Sequence, residues 1–257
     1  MELLTSRTNP TVKSAVSLKE NSERKKTGLF LLEGARLCAD AAQNGVRIKT
    51  FFVTEKALSK YEKEASLLES VAQKSYLISE SVAEKLSDTK NSQQFFAVCF
   101  EKKSPFSVDP SGMYIFTDNV QNPDNLGAIA RTAEALGADG LMVNSGCDIY
   151  SPKALRASMG ALLRFPVIKV EDAPSYLKSL SSQGFKIFAS VVSPDAEDVV
   201  SADKKGGCVL IIGNEGNGVS DEILSVSTNR ITIHMKGKAE SLNASAAATL
   251  LIWEFTK

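Results

Sequence analysis

Five polar side chains carry the chemistry this chain can do: Asn125, Arg131, Glu215, Ser241 and Asn243. Arg131 is permanently cationic and suits a phosphate. Asn125 can orient a hydroxyl or an amide. The two lie six positions apart in a predicted helix, less than two turns, so the spacing places them roughly on one side without making them neighbours. Glu215 sits in Gly213-Asn214-Glu215-Gly216-Asn217-Gly218, where Gly213 lets a ligand approach the backbone. Ser241 and Asn243 precede the small-residue run Ala244–Ala248, and polar groups at a helix start are well placed for anions and polar ligands. Taken singly, each has a plainer reading: a helix-capping Asn, a surface Arg, a Gly-rich turn, a capped terminal helix.

The elements that must position them alternate strand and helix, which predicts an α/β fold. In the first half, strands are expected at 29–32, 50–54, 75–78 and 94–100. A polar helical arm is expected at 9–26, with helices at 35–44, 55–72 and 79–86. Lys102 to Gly112, with Pro105 and Pro110, reads as a linker. The second half restarts with strands at 113–117, 140–143, 166–170, 186–191, 208–212 and 231–235. Its helices are expected at 124–136, 152–163 and 173–181, with a short one after Ser220 and one at the C-terminus. Cys208–Ile212 is nearly pure apolar, as the centre of a parallel sheet requires. In such sheets ligands gather beyond the carboxyl ends of the strands. Three segments qualify: 119–131, 213–218 and 235–243. The glycine spacing is not a dinucleotide fingerprint, and no Gly-Lys-Ser/Thr follows to make a phosphate loop.

The 257 residues are 43% hydrophobic and 23% charged, the composition of a soluble globular protein of one or two domains. There is no apolar run of membrane-spanning length and no signal-peptide core, so a cytoplasmic protein is expected. Four scattered cysteines and a single His234 give no disulfide frame and no metal site; His234, in a strand-like stretch, is expected to be structural. The zero net charge hides a tilt: the first 104 residues carry 17 Lys and Arg against 13 Asp and Glu, and the remainder carries the reverse. Lys13 and the cluster Arg24-Lys25-Lys26 fit a polyanion-binding module, and equally a solvated helix face.

Together the three segments are specific. Asn122-Pro123-x-Asn125-x-Gly127-x-x-x-Arg131, then Ile212-Gly213-Asn214-Glu215-Gly216-x-Gly218, then Met235-x-Gly237-x-x-Glu240-Ser241-Leu242-Asn243-x-Ser245 resemble the three motifs of the SpoU/TrmH family of RNA 2′-O-methyltransferases, in order and at family-like separations. Arg156-Ala157-Ser158-Met159-Gly160 resembles a further family segment. The resemblance implies an RNA substrate-binding domain at 1–103 with a ribosomal-protein-like α/β fold and a basic helical arm, a linker at 104–112, and a methyltransferase domain with a deep trefoil knot at 113–257. It implies S-adenosylmethionine as cofactor, held through Gly213, Ile233, Met235, Gly237 and Leu242, chiefly by backbone groups. Asn125, Arg131, Glu215, Ser241 and Asn243 then line the reaction centre. Lys13, Arg24, Lys25, Lys26, Arg156 and Ser158 become RNA contacts, and the protein becomes a homodimer without a metal. The expected reaction is methyl transfer to a ribose 2′-hydroxyl of ribosomal RNA. The alternatives are a transfer RNA target or a non-catalytic RNA-binding scaffold. His234 stands where the family usually has proline.

Overall fold

The run Cys208–Ile212, buried at every position, is the central strand of a seven-stranded sheet in a computed structural model that describes residues 1–102 and 106–257. A strand covered on both faces has no reason to alternate apolar with polar residues. The described chain divides into two compact units.

In the first unit, β1 (Glu2–Leu4), β2 (Leu29–Glu33), β3 (Ile48–Val53), β4 (Lys74–Ile78) and β5 (Phe95–Phe100) form a sheet in the order β1-β4-β3-β5-β2. β4 runs parallel to β1 and β3, and β5 is antiparallel to β2 and β3. Helices α1 (Pro10–Ser17), α2 (Asn21–Thr27), α3 (Ala35–Gln43), α4 (Glu55–Lys60), α5 (Glu62–Val71) and α6 (Glu80–Leu86) connect the strands. The polar arm expected at 9–26 is instead part of the fold. Val12, Ala15 and Leu18, spaced for one helix face, are buried with Leu31 and Phe52 of the sheet and Val82 and Leu86 of α6. The single helix expected over 55–72 breaks at Tyr61, whose backbone leaves the helical region (φ −120°, ψ 48°) and whose ring meets Phe95 edge-on at 6.2 Å.

The second unit contains β6 (Met113–Asp118), α7 (Pro123–Ala135), β7 (Gly140–Asn144), β8 (Val167–Lys169), α10 (Ala173–Ser182), β9 (Lys186–Ser190), β10 (Glu197–Asp198), β11 (Cys208–Ile212), α11 (Asp221–Val226), β12 (Asn229–Thr232) and α12 (Ala244–Thr256). The sheet order is β10-β12-β9-β11-β6-β7-β8, and every pairing is parallel. From β6 the chain builds outward through β7 and β8, then returns to the other side of β6 for β9, β11 and β12. The order therefore reverses beside β6, the position where open parallel sheets bind ligands. The core here is Phe116, Leu177, Ile187, Val209 and Ile211 with their neighbours. Of the linker expected at 104–112, Ser104 and Pro105 lie outside the described residues, as does Lys103 at the domain boundary. Asp109–Gly112 is a turn closed by Gly112 N–H donating to the Asp109 carbonyl at 2.9 Å.

The second domain, expected to run unbroken from 113, is interrupted once. By packing, Tyr150–Arg164 groups with the first unit. Tyr150 stacks on Phe30 at 4.6 Å, and Arg164 pairs with Asp40 at 2.6 Å. The helix expected at 152–163 is two short ones, α8 (Pro152–Ala157) and α9 (Ala161–Arg164), parted where Met159 and Gly160 take positive φ.

Candidate active site

Three loops leave the carboxyl ends of β6, β11 and β12, and each is tied by hydrogen bonds to the next. β6 ends on Asp118, only 2% exposed. Its carboxylate accepts from Asn144 Nδ2 at 3.0 Å and from the backbone N–H of Ser220 at 2.8 Å, joining β6 to β7 and to the start of α11. Asn122 then caps α7, accepting from Asp124 N–H, with Pro123 at the first helical position. After β11, Asn214 and Gly218 exchange backbone hydrogen bonds at 2.8 and 2.9 Å and close a tight loop. Gly213 is obligatory there because a Cβ would strike the backbone of Gly218 and Val219. Asn214 Nδ2 donates to the Asn119 carbonyl at 2.9 Å, so the β6 and β11 loops are held side by side.

Glu215 rides on that loop. Its carboxylate accepts from the N–H groups of Gln121 (3.1 Å) and Asn122 (3.0 Å) and from Asn125 Nδ2 (2.9 Å). Partial burial pushes its pKa up, but the bonds from Asn125, Gln121 and Asn122 outweigh it and hold the group below its ordinary range. Glu215 is therefore an anion that can only accept. Asn125, 5% exposed, must turn its NH₂ toward Glu215, which leaves its Oδ1 to accept from Asn243 Nδ2 at 3.0 Å. Asn243 in turn has its own Oδ1 on the N–H groups of Ser245 (3.0 Å) and Ala246 (3.3 Å) and on Ser245 Oγ (2.7 Å), capping α12. The result is a polarised chain, Glu215 to Asn125 to Asn243 to α12, whose direction is set by the anion at one end and the helix at the other.

The structure thus brings Asn125, Glu215 and Asn243 together. Arg131 is exposed with no ion-pair or hydrogen-bond partner among the described residues. Six residues of helix is 120° short of two full turns, so Arg131 faces away from the buried side of α7 that carries Asn125, and the shared side expected from the sequence is not found. Ser241 and Leu242 lie with Ile233 and Met235 along a cleft between β9, β12 and α12, which Val191, Ile231 and Leu251 also line. Val192 (72% exposed) and Leu242 (38%) leave apolar surface bare at its rim. Apolar walls with open backbone edges suit a nucleobase and a thioether. The cleft encloses about 80 Å³, and residues 233–242 beside it make none of the backbone hydrogen bonds of the flanking strand and helix. Gly213 and Gly237 do not line it; a Cβ on Gly237 would meet open space. His234 is not in a strand, because β12 ends at Thr232. It is exposed, 3.6 Å from Asp198.

Two expected RNA contacts are corrected. Arg24 is 3% exposed, its guanidinium donating to the carbonyls of Leu18 and Lys19 at 2.8 Å each. It locks the α1–α2 turn. Ser158 is fully buried, its hydroxyl on the Leu155 carbonyl. Arg156 pairs with Asp88 at 2.8 Å, Lys26 lies 3.7 Å from Glu23, and Lys13 and Lys25 are exposed. Asp118 is not singled out by the sequence, where the one available signal is an acid ending an apolar strand; Asn214 stands in the second motif but without a role. Among the described residues no cluster of His, Cys, Asp and Glu could hold a metal ion, and no helix is long and apolar enough to cross a membrane.

Residues 112–253 match the model of the SpoU rRNA Methylase family, and residues 9–97 match an MRM3-like substrate binding domain. The chain is 29% identical over 256 residues to the 23S rRNA (guanosine(2553)-2′-O)-methyltransferase RlmP of Bacillus subtilis, covering 98% of both proteins. It is 31% identical over 254 residues to an uncharacterized tRNA/rRNA methyltransferase of Synechocystis, covering 98% of this chain and 92% of that one. Among solved structures, the AdoMet-bound rRNA methyltransferase from Sinorhizobium meliloti superposes with a TM-score of 0.88 at 27% identity, over 98% of this chain and 96% of the other.

Proposed function

The chain belongs to the SpoU rRNA Methylase family, and we propose from that membership that it is an S-adenosylmethionine-dependent RNA methyltransferase acting on a ribose 2′-hydroxyl of ribosomal RNA. The observation that carries this reading is the Glu215–Asn125–Asn243 chain anchored beside the apolar cleft. The cleft residues fit the cofactor: Leu242 and Val192 offer apolar cover for an adenine, and the irregular backbone of 233–242 offers free N–H and carbonyl groups. When bound, the cofactor supplies a methyl group already made electrophilic by its sulfonium.

The protein's own task is to orient the 2′-hydroxyl in line and relieve it of its proton. Asn125 and Asn243 each have an amide hydrogen left over after the chain is made, and these are the donors available to the ribose. We do not assign Glu215 as the base: three of its four lone-pair sites already accept from Gln121, Asn122 and Asn125, and those bonds hold its pKa down. We assign Arg131 to an RNA phosphate, where it would hold the ribose in line while the 2′-hydroxyl proton leaves to water. Ser241, exposed at the cleft edge, is assigned to the same centre.

The same reading gives substrate selection to the N-terminal unit and the work to the cytoplasm. It includes a homodimer, supported by Leu250 and Trp253, which leave apolar surface half-exposed on α12. It includes a trefoil knot, supported by the small residues Ala244–Ala248 and by α12 lying against α7, with Thr249 and Thr132 hydroxyls 3.4 Å apart. Transfer RNA is the less favoured substrate, because a relative matched over its full length is a 23S ribosomal RNA enzyme.

The test is incubation of the purified chain with radiolabelled S-adenosylmethionine and unmodified ribosomal or transfer RNA, followed by mapping of alkali-resistant sites. Label at one ribosomal RNA ribose is expected. No label, together with no cofactor binding by calorimetry, would leave only an RNA-binding scaffold.

A further inference from the structure

The N-terminal sheet has a face that its helices cover only in part. α1 and α6 pack over β2, β5 and the upper end of β4. Beyond the first turn of α1 a groove of about 370 Å³ remains open over β3 and β4. Tyr76 lines it. One side of its ring rests on Phe52, 5.8 Å between centroids and 21° from parallel, so its orientation is fixed by packing rather than by a bound partner.

Two lysines lie together beyond one end of the tyrosine. Lys74 is on β4, opposite Thr50 of β3. Lys49 reaches the groove by a different route. β3 has an irregularity between Ile48 and Thr50, where these two residues face the consecutive Cys99 and Val98 of β5. Lys49 is the extra residue of a bulge, and bulges re-aim side chains that strict alternation would send to the other face. Lys49 and Thr50 consequently line the same groove. Both lysines are exposed, and neither has an ion-pair partner among the described residues. No carboxylate lines the groove, and the hydroxyls of Thr11 and Ser14 form its opposite wall. Arg47 continues the positive edge, its guanidinium 4.5 Å above the Phe100 ring on the same face.

We infer that this groove binds an unpaired nucleotide of the RNA, with its base against Tyr76 and the adjoining phosphates at Lys49 and Lys74. The inference rests on the RNA-directed reading above and gives it a substrate-selecting site. An aromatic ring with two cations beyond one end, and no carboxylate among the lining residues although Glu2 of β1 stands next to Tyr76 in the sheet, is a combination that holds single strands irrespective of sequence. A duplex could not present a base to Tyr76, so the groove selects unpaired RNA. None of the basic residues that stand out in the sequence lines it. The bulge that recruits Lys49 and the fold that brings β4 beside β3 have no local signature.

The experiment uses the full-length protein and fluorescence anisotropy with a labelled single-stranded uridine decamer, a hairpin duplex and free uridine monophosphate. The expected result is tighter binding of the decamer than of duplex or monophosphate. Lys49→Gln with Lys74→Gln should lower the salt dependence by about 1.4 in log–log slope, roughly 0.7 for each phosphate no longer neutralised. Lys56→Gln with Lys63→Gln, which removes the same charge from α4 and α5, should leave the slope alone. Tyr76→Leu should weaken binding about fivefold or more, while Tyr76→Phe, which keeps the ring, should not. Unfolding midpoints read alongside distinguish a weakened RNA site from a destabilised fold, and cross-linking of a 4-thiouridine decamer to Tyr76 gives a readout in the unaltered chain. Wild-type affinity and slope in the lysine variant, equal binding by Tyr76→Leu and Tyr76→Phe, or a cross-link mapping elsewhere would overturn the proposal. Loss of all methyl transfer with these binding results intact would count against the catalytic reading alone.

Discussion

Replacing Asn243 separates the two jobs it does. Its Oδ1 caps α12 and its Nδ2 donates to Asn125 at 3.0 Å. Asn243→Ala removes both. A lost cap costs about 1 kcal/mol and a lost neutral hydrogen bond about 1 kcal/mol more. Near 2 kcal/mol in all corresponds to a fall of about 4–8 °C in the unfolding midpoint. Asn243→Ser restores a capping oxygen, but its hydroxyl is too short to reach Asn125 Oδ1, so about half of that loss should return. Asn243→Asp keeps the cap and sets a carboxylate against Asn125 Oδ1. Asn125 cannot escape by reversing its amide, because its oxygen would then meet ionised Glu215. Methyl transfer should follow the donor rather than the cap. All three variants let Asn125 drift from its position, and a misplacement of about 1 Å is enough to cost roughly 100-fold in rate. The assay is single-turnover methyl transfer under saturating cofactor and RNA, read beside thermal unfolding. Wild-type turnover in Asn243→Ser, or turnover that recovers in step with stability, would refute the argument that the amide chain positions the reacting group.

Other expectations follow from the same geometry. Arg131→Lys should lower turnover by about tenfold or more, because a single ammonium cannot replace a bidentate fork, with the pH–rate profile unmoved; a shifted acidic limb would instead mark Arg131 as the base. Glu215 has a depressed pKa in the fold, so its stabilising bonds are complete above its unfolded value and are lost as pH falls through the folded one. The gap in unfolding midpoint between wild type and Glu215→Gln should be constant near neutrality and close as pH drops below 4.5, the group's ordinary value; a gap independent of pH would contradict this. Gly213→Ala must push apart the backbone of Gly218 and Val219, costing about 1–3 kcal/mol and lowering cofactor affinity by calorimetry. Arg24→Gln should lower the unfolding midpoint by roughly 6–12 °C, given about 3 kcal/mol for two buried charge-assisted bonds, while leaving the salt slope of RNA binding untouched.

The parallel sheet is legible in the sequence because its central strand, Cys208–Ile212, is apolar without interruption and its neighbours fall at regular intervals. The site is legible because three short polar segments each follow a strand, and strand ends in such sheets converge. What stays hidden depends on contacts distant in sequence. Arg24 reads as the head of a basic cluster, yet the turn between α1 and α2 brings two carbonyls to it and takes it out of solvent. Residues 9–26 read as polar because only one face in three is apolar, and that face is what packs. A count of turns that ignores the missing 120° puts Asn125 and Arg131 on one side, where the helix does not. Glu215 is legible as a candidate but not as a fixed anion, since that follows from two backbone N–H groups in another loop.

The order in which the two units close has a bearing on synthesis. The first unit takes in Tyr150–Arg164, so a ribosome that has released only β1 to β5 has not yet supplied everything that unit packs. The central pairing of the second joins Met113 to Cys208, and parallel pairings with such long loops are slow to form. β6, β7 and the exposed edges beside them must wait through most of translation, which favours aggregation unless a chaperone shields them. Asn243 and α12 emerge after Arg164, where the first unit's second segment ends. The nascent chain can therefore complete its substrate-selecting unit before Asn243, and with it the amide chain, exists.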